Sequence, residues 1–441
     1  MDILFISLGC DKNLVDSEVM LGILGKEGYS FTNDEASADI IIINTCCFIN
    51  DAKEESINTI LEMAEYRRSG SCRALIVAGC LAQRYKDEIR AEIEEVDAVV
   101  GTTSYDAIAS TIRTVLGGEN AESFQDPDRL MPQQDSQRSL TTGGHYAYLK
   151  IAEGCDKHCT YCIIPKVRGR YRSIPMERLV TEAAYLAACG VKELILVAQE
   201  TTVYGVDLYG EKKLPELIRK LARISGIHWI RLEYCYPEEV TDELIEVIKE
   251  EEKVCHYLDI PIQHASDRIL RKMGRRTTRA DIEEIVEKLR KEIPDICLRT
   301  TLICGFPGET DEDHEELMDF VDMMEFDRLG VFAYSPEEDT PAAVMPGQIS
   351  EEVKEARRCE LMELQQDIAF EKAFETVGQT MRVLIEGKVA DEDAYVGRTY
   401  RDAPDVDGYI FINTQEQLVT GDFVDVKVTG ADEYDLIGEL I

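Results

Sequence analysis

Short apolar strands alternate with helical stretches through most of the chain, and this alternation constrains the fold more than any other feature. The first three strands lie within DILFISLGC, ADIIIINTCCF and ALIVAGCLAQR. Strands that alternate with helices of this length predict a parallel, doubly wound sheet. We therefore expect an α/β N-terminal domain over residues 1–117.

Six more apolar strands follow at regular intervals after a break in the pattern. They lie within YAYLKIAEGC, ELILVAQET, IHWIRLEYCYP, CHYLDIPIQH, LRTTLICGFPGE and RLGVFAYSP. Six β/α repeats predict a partial (βα)6 barrel of the TIM type, which we place at residues 145–375. The break, residues 118–144, is polar and aperiodic and predicts a linker.

The last part of the chain has a third kind of pattern. A long amphipathic helix is predicted to begin after Ser350, which suits an N-cap. Residues 376–441 then alternate short β-rich runs with Gly and Asp turns. This pattern predicts a small antiparallel β-barrel as a third domain.

The charge and cysteine content limit the classes of partner and compartment. The formal net charge of −38 repels nucleic-acid phosphates and suits a basic partner. Fourteen cysteines without a secretory signal pattern predict a cytoplasmic protein with reduced thiols. No apolar run approaches the roughly 18 residues of a membrane span, so we expect no membrane contact.

A cysteine follows each of the first three strands, at Cys10, Cys46 and Cys80. The carboxyl ends of parallel strands share one edge of a sheet, where ligands gather, so we expect the three thiols to converge. The alternative is that they are small buried hydrophobic residues, as free cysteines often are.

Three more cysteines lie in the single loop GCDKHCTYCIIP, after the first barrel strand: Cys155, Cys159 and Cys162. A structural zinc ion needs four ligands, and His158 is too close to Cys159 in sequence to bind the same ion without strain. An iron–sulfur cluster held by three cysteines keeps one iron open for a substrate or cofactor.

The spacing Cys-x3-Cys-x2-Cys, with Tyr161 before the last cysteine, resembles the signature of radical S-adenosylmethionine enzymes. The resemblance implies that the open iron binds S-adenosylmethionine, which an electron from the cluster cleaves to a 5′-deoxyadenosyl radical. It also implies cofactor contacts by residues of the loop and the strand ends. The candidates are Tyr161, Gln199, Glu200, Gln263 and Gly305. Polar residues at strand ends also cap helices, which is the alternative.

The whole chain resembles the methylthiotransferases, through LGCDKNLVDSE, NTCCF, AGCLAQR and a C-terminal barrel similar to a TRAM domain. The resemblance implies an auxiliary 4Fe-4S cluster on Cys10, Cys46 and Cys80 beside the radical cluster. It implies replacement of C–H by C–S–CH3, with S-adenosylmethionine as both methyl donor and radical source. It further implies an external electron donor such as flavodoxin or ferredoxin.

SLGCDKNLVDSE and YLDIPIQHASDRIL resemble the branch that modifies an aspartate β-carbon of small-subunit ribosomal protein twelve. The C-terminal barrel has five basic and fourteen acidic residues, which disfavours tRNA. We expect a monomer that acts on this protein or on the small ribosomal subunit. A tRNA adenosine methylthiotransferase and a non-catalytic iron–sulfur electron carrier remain as alternatives.

The segment KVRGRYR is basic in an otherwise acidic chain. Arginine binds carboxylates through two parallel hydrogen bonds. We therefore expect Arg168 or Arg170 to hold the target aspartate or the carboxylate of S-adenosylmethionine. The alternative is a solvated basic face or a set of phosphate contacts.

Overall fold

The computed structural model describes residues 1–70, 72–129 and 138–441, and it divides into two compact units. Unit 1 comprises Met1–Thr141, Ala152–Ile174 and Ser335–Ala343. Unit 2 comprises Thr142–Ile151, Pro175–Tyr334 and Val344–Ile441. Residues 130–137, which are part of the expected linker, lie outside the described residues.

The N-terminal part of unit 1 alternates strands and helices. In order they are β1 (Asp2–Ser7), α1 (Asp11–Lys26), β2 (Ser30–Phe31), β3 (Ile40–Thr45), α2 (Asn50–Ser69), β4 (Ala74–Gly79), α3 (Cys80–Arg84), α4 (Lys86–Glu92), β5 (Ala98–Val100), α5 (Ile108–Leu116) and β6 (Ala121–Ser123). The sheet has the order β2-β1-β3-β4-β5-β6, and all its pairs are parallel. The expected doubly wound sheet is confirmed.

The strand β6 lies inside the segment that the sequence indicates as a linker. It pairs with β5 and forms one edge of the sheet. Its three residues, Ala121 to Ser123, carry no apolar alternation. An edge strand this short and polar gives no periodic signal, so sequence patterns miss it.

The central strands of unit 1 are buried on both faces. Ile41 and Ile43 of β3 join one apolar cluster, with Val77 of β4. Ile40 and Ile42 join a second cluster on the other face of the sheet. Burial on both faces explains why these strands are continuous apolar runs without alternation.

The chain continues with elements that belong to different units. They are β7 (Tyr146–Lys150) in unit 2, followed by β8 (Ala152–Glu153), α6 (Ile164–Arg168) and β9 (Arg172–Ser173) in unit 1. Two residues of this region join the apolar cluster around Val77. They are Ile163, the N-cap residue of α6, and Val167 within the helix. The three-cysteine loop is therefore anchored to the N-terminal sheet.

The segment Ser335–Ala343 completes unit 1. The buried carboxylate of Glu337 pairs with Lys53 Nζ at 3.0 Å and with Arg84 Nη1 at 2.8 Å. The amide of Ala342 donates to the carbonyl of Thr160 at 2.9 Å. Three separate stretches of chain thus build one compact unit.

Unit 2 begins with the barrel sheet. After β7 its elements are α7 (Met176–Ala188), β10 (Glu193–Val197), α8 (Val206–Tyr209), α9 (Leu214–Ala222), β11 (Trp229–Leu232), α10 (Asp242–Glu250), β12 (Val254–Asp259), α11 (Asp267–Lys272), α12 (Arg279–Glu292), β13 (Cys297–Cys304), α13 (Asp311–Met324), β14 (Arg328–Ala333) and α14 (Glu351–Glu375). The strand order β14-β13-β12-β11-β10-β7 confirms six parallel strands. Helix α14 begins after Ser350, as expected.

Within the described ranges, no helix has the length and apolar character to cross a bilayer.

The C-terminal part of unit 2 is a closed five-stranded barrel. Its strands are β15 (Thr380–Lys388), β16 (Ala394–Thr399), β17 (Ile410–Asn413), β18 (Phe423–Asp432) and β19 (Asp435–Leu440). The barrel order is β15-β16-β17-β19-β18, with every pair antiparallel except the parallel pair β17–β19. Strict alternation of direction cannot close a barrel with an odd number of strands, so one parallel pair is required.

The five-stranded barrel packs against the N-terminal ends of the barrel strands within unit 2. Glu193, the first residue of β10, accepts from Arg231 Nε at 2.8 Å and from Arg398 of β16 at 2.7 Å. All three side chains are fully buried. Trp229 lies edge-on to Phe423, with ring centroids 4.9 Å apart. A buried ionic cluster and an aromatic contact therefore join the two barrels.

Candidate functional site

Three neighbouring strands of unit 1 bring Cys10, Cys46 and Cys80 to one edge of the sheet. Cys10 lies three residues after β1 and caps α1, while Cys46 directly follows β3 and Cys80 directly follows β4. The strands β1, β3 and β4 are adjacent in that order. Cys46 and Cys80 are buried and Cys10 is exposed. The three cysteines thus lie at the carboxyl ends of three adjacent parallel strands.

Burial and neighbouring charges shift the pKa of the two buried thiols of this set. Burial raises the pKa of Cys46 to about 12, and the charges of Cys80 and Cys10 act in the same direction. Burial also raises the pKa of Cys80, whereas the charge and hydrogen bond of Arg168 lower it. Without a metal these buried thiols are protonated at neutral pH, so a metal must displace their protons when it binds.

Asn13, on the first turn of α1, holds the strand ends together. Its side-chain amide donates to the carbonyl of Leu8 at 2.6 Å and, at longer range, to the carbonyls of Asn44 and Thr45. The side chain of Asn44 donates back to the carbonyl of Asn13 at 2.9 Å. The loops that carry Cys10 and Cys46 are therefore fixed by one buried pair of asparagines.

A glycine precedes two of the three cysteines, and both adopt a left-handed conformation. Gly9 has φ +87°, and a Cβ there would lie 2.6 Å from Cys46 Cβ. Gly79 has φ +92°, and a Cβ there would lie 2.3 Å from Asn44 Oδ1. Only glycine lets the backbone approach this closely and take this conformation. The pattern Gly-Cys at both positions is thus a steric requirement of the site.

Gly79→Ala is expected to destabilise unit 1 and to prevent iron from binding at Cys10, Cys46 and Cys80. Gly118→Ala is the matched control, because Gly118 has φ +90° and no atom within 4 Å of the new Cβ. Both variants incur backbone strain of about 1–3 kcal/mol, but only the first also clashes with Asn44. Urea unfolding and iron per chain after reconstitution measure the difference. Equal losses in the two variants would contradict this account.

The second set of cysteines lies in the loop between β8 and α6. Cys155 and Cys159 are buried and Cys162 is half-buried. The amide of Cys155 donates to the carbonyl of Gly169 at 3.2 Å, and the amide of Cys162 donates to the carbonyl of Cys159 at 3.0 Å. Gly154 has φ +78° and leaves no room for a Cβ beside Arg170. Backbone hydrogen bonds within this segment therefore fix the conformation of the loop.

The thiols of this loop also influence one another. Burial raises the pKa of Cys162, and the charges of Cys159 and Cys155 raise it further. Across the described residues, no three His, Cys, Asp or Glu side chains are placed to hold a single metal ion.

The two cysteine sets fit iron–sulfur clusters better than single ions. In a cubane each thiolate binds a different iron atom, so its ligands stand farther apart than the ligands of one ion. Each set offers three thiols, two of them buried: Cys46 and Cys80 in one set, Cys155 and Cys159 in the other. The positive charge of Arg168 beside Cys80 suits an anionic group. The donor chemistry thus matches two clusters with three protein ligands each.

The cofactor candidates in unit 2 lie where parallel strands end. Gln199 and Glu200 follow β10, Gln263 follows β12 and Gly305 follows β13. Gln263 has φ +74° and forms an isolated bridge with Leu302. Tyr161 lies in unit 1 and is half-buried. Their contact with S-adenosylmethionine stays a prediction.

Glu309 stabilises the loop after β13, a role that the sequence patterns do not show. Its carboxylate accepts from the amide of Phe306 at 3.0 Å and from Arg357 Nη1 at 2.9 Å. His264 Nε2 lies 3.5 Å from the same carboxylate. The sequence offers one indication of this role. Arg357 lies on the apolar face of the long helix α14, and a charged residue there needs a buried partner.

The structure separates the two arginines expected to bind a carboxylate. Arg170 is 82% exposed and has only a 3.8 Å approach to Asp128. Arg168 is 2% exposed, and its Nη1 donates to Asp16 at 2.7 Å and to Glu153 at 3.0 Å. Since two carboxylates of the protein already occupy Arg168, its geometry argues against a substrate contact. The role of Arg170 stays a prediction.

Asn13 and Asp16 contact Arg168 and the loops near Cys10, which the sequence patterns did not indicate. Both belong to the stretch LGCDKNLVDSE, and both side chains are almost fully buried on α1. Positions i and i+3 lie on the same face of a helix. The sequence offered one indication of these contacts: a pair of polar residues on the buried face of a helix that begins directly after Cys10.

Comparisons with known proteins agree with this architecture. Family models match over residues 2–101 (uncharacterized protein family UPF0004), 149–321 (radical SAM superfamily) and 377–441 (TRAM domain). The three-cysteine loop and four of the six parallel strands, β10 to β13, lie within the residues that the second model matches. The fold and the cysteine loop define a radical S-adenosylmethionine protein.

Curated relatives match the chain over nearly its full length. One, named ribosomal protein uS12 methylthiotransferase RimO, from Lachnoclostridium phytofermentans, is 67% identical over 99% of both chains. Proteins of the same name from Acetivibrio thermocellus and Clostridioides difficile are 55% and 50% identical, over 99% of this chain and 97% and 98% of theirs. The chain belongs to the ribosomal protein uS12 methylthiotransferase family.

Solved structures share the fold at low sequence identity. The radical S-adenosylmethionine methyltransferase TsrM of Kitasatospora setae, solved with cobalamin and a [4Fe-4S] cluster, has a TM-score of 0.57 and 14% identity, and covers 95% of this chain and 80% of its own. The cobalamin-dependent radical enzyme OxsB has a TM-score of 0.52 and covers 84% of this chain and 56% of its own. At these identities the likeness concerns the fold alone.

Proposed function

We propose that the protein replaces a C–H bond by C–S–CH3 at the β-carbon of an aspartate in ribosomal protein uS12. It is a transferase that uses S-adenosylmethionine and two 4Fe-4S clusters. The observation that carries this proposal is the 67% identity over 99% of both chains with a uS12 methylthiotransferase. The two cysteine sets in unit 1 agree with it, because each suits a cluster with one open iron.

The residues of the chain position and insulate groups that supply the chemistry. When bound, the clusters and S-adenosylmethionine supply the electron, the radical and the methylthio group, which no side chain provides. Cys155, Cys159 and Cys162 hold the radical cluster, in a loop that its own backbone fixes. Cys10, Cys46 and Cys80 hold the auxiliary cluster. At that site Cys46 and Cys80 are buried and Cys10 is exposed.

The charge of the five-stranded barrel supports a basic protein as substrate and disfavours tRNA. Arg398 and Arg401 pair with Glu193 and Asp327 elsewhere in unit 2, and they are not exposed. After Thr376, three basic and ten acidic residues remain exposed. Such a surface repels phosphates and attracts a basic ribosomal protein.

Several finer features belong to the same proposal. Cleavage of S-adenosylmethionine consumes one electron, and a small carrier such as flavodoxin or ferredoxin is its source. The protein acts as a monomer in the cytoplasm, on free uS12 or on the small ribosomal subunit.

The proposal includes direct contacts with S-adenosylmethionine, because four of the five candidate residues follow the ends of parallel strands. The candidates are Tyr161, Gln199, Glu200, Gln263 and Gly305. The exposed Arg170 binds the target carboxylate.

Mass spectrometry of both candidate substrates tests the proposal. Reconstituted enzyme is incubated anaerobically with S-adenosylmethionine, a reductant, purified small-subunit proteins and bulk tRNA. We expect a gain of one SCH2 unit on an aspartate of uS12. A parallel incubation without S-adenosylmethionine should show no gain.

Each other outcome would overturn a different part of the proposal. The same gain on a tRNA adenosine would contradict the charge argument, although both clusters would keep their roles. A gain on neither substrate, with 5′-deoxyadenosine still formed, would leave a radical enzyme with another substrate.

A further inference from the structure

Arg168 is a fully buried cation of unit 1 that the proposed reaction does not use. It is the last residue of α6, six residues after Cys162. Its Nη1 donates to Asp16 and Glu153, and its Nη2 donates to Asn13 Oδ1 at 3.0 Å. A guanidinium charge is this deeply buried only where several groups compensate it.

Two of these partners lead directly to the auxiliary cysteines. Asn13 and Asp16 are on α1, which begins next to Cys10. Asn13 also holds the loops before Cys10 and Cys46 through the carbonyls of Leu8 and Thr45. A hydrogen-bonded path therefore runs from α6, which follows the radical loop, to the loops of the auxiliary cysteines. All of these residues lie in unit 1.

The charge of Arg168 also reaches the auxiliary thiols. Arg168 is the last residue of α6, which packs against α3, the helix that begins at Cys80, and its neighbour Val167 shares the buried apolar cluster of Cys80. The arginine charge is permanent, and low-dielectric surroundings strengthen its field at short range. Within unit 1 the opposing charges are Asp16 and Glu153, while Arg172 adds a second cation, with its Nη2 on the carbonyl of Arg168.

We infer that Arg168 is a positioning residue that ties the radical loop to the auxiliary site and whose fixed charge favours reduction of a cluster bound there. Uptake of one electron adds one negative charge to the cluster, and a nearby buried cation stabilises that charge. This role rests on the proposed function, because it requires a cluster at Cys10, Cys46 and Cys80.

An EPR-monitored redox titration tests the role without any turnover. The background is the Cys155→Ala/Cys159→Ala/Cys162→Ala variant, reconstituted with iron and sulfide, so that only the auxiliary cluster is titrated with dithionite. In that background we compare Arg168→Met, Arg168→Lys and Arg170→Met. Arg170→Met removes the same charge two residues away, at a position that is 82% exposed and screened by solvent.

Arg168→Met is expected to disfavour the reduced cluster about tenfold, which is about 59 mV toward negative potential for one electron. Arg168→Lys keeps the charge and should shift the midpoint by less than half as much. Arg170→Met should leave the midpoint at the parent value.

The outcomes separate this inference from the proposed function. Equal midpoints for the Arg168→Met and Arg170→Met variants would overturn the charge role of Arg168, although the cluster itself would remain. A lysine variant that behaves like the methionine variant would do the same. If Arg168→Met alone loses its iron and Arg168→Lys keeps both the iron and the midpoint, the charge role is supported. A triple-alanine background that binds no iron would overturn the ligand assignment of the proposed function itself.

Discussion

Cys159→Ala is expected to abolish both 5′-deoxyadenosine formation and methylthiolation, whereas Cys80→Ala abolishes methylthiolation alone. The two residues belong to different thiol sets, and each set holds one cluster in the proposed function. Loss of one ligand of three removes that cluster, so each variant should keep about half of the iron. Iron analysis and chromatography of 5′-deoxyadenosine, beside mass spectrometry of uS12, measure the three quantities together.

Cys72→Ala is the matched control for these variants. Cys72 is buried in the same apolar cluster as Cys80, but it has no place in either set. Its replacement should leave iron content and both reactions intact, at a cost of about 1 kcal/mol in stability for the lost sulfur. If Cys80→Ala kept full methylthiolation, or if Cys159→Ala still formed 5′-deoxyadenosine, the division of roles between the sets would be wrong.

Glu193→Gln is expected to lower the free energy of unfolding of unit 2 by about 3–5 kcal/mol. Glu193 lies between Arg231 and Arg398, and all three side chains are fully buried. The amide removes the carboxylate that both buried guanidinium groups share, although Arg398 keeps Glu386 at 2.6 Å and Arg231 keeps the carbonyl of Tyr400 at 2.7 Å. Trp229 is the only tryptophan of the chain and lies at this contact, so its fluorescence during urea unfolding reports the loss.

The control is an exposed ion pair of similar length. Glu243 lies 2.7 Å from Arg219, and both side chains are more than one-third exposed. Glu243→Gln should therefore change stability by less than about 1 kcal/mol. Equal effects of the two substitutions would show that the buried cluster does not stabilise the joined barrels.

The same cluster predicts a dependence on pH. Burial by itself would raise the pKa of Glu193, but Arg398 and Arg231 outweigh it and hold the pKa below the ordinary value of 4.5. The stabilisation is therefore fully present above pH 4.5 and is lost as the pH falls toward the folded-state value. Glu193→Gln should remove this part of the acid sensitivity, which urea unfolding at several pH values would show.

Most of the fold follows from patterns that depend on local sequence. The apolar runs of β3 and β4 and the regular spacing of the barrel strands predict both parallel sheets. The strand β6 gives no such signal, because three polar residues at an edge need no alternation. The parallel pair β17–β19 follows from closing five strands, which is a property of the whole barrel and of no segment within it.

In the site as well, some features follow from the local sequence and others depend on tertiary packing. Strand ends predict that Cys10, Cys46 and Cys80 share an edge, because position in a parallel sheet follows from strand order. The partners of Arg168 are not predictable in this way. Two of them, Asn13 and Asp16, lie on α1, far away in sequence, and only tertiary packing decides whether an arginine faces solvent or a buried carboxylate.

Unit 1 is built from three separate stretches of the chain, and this affects the order of events during biosynthesis. Multidomain chains ordinarily fold from the N-terminus while translation continues. Here Glu337, which closes on Lys53 and Arg84, is synthesised 253 residues after Arg84. The unit that carries these thiols is therefore complete only after most of the chain has left the ribosome. Iron delivery is expected to act on a nearly finished polypeptide, which makes cluster insertion a post-translational event.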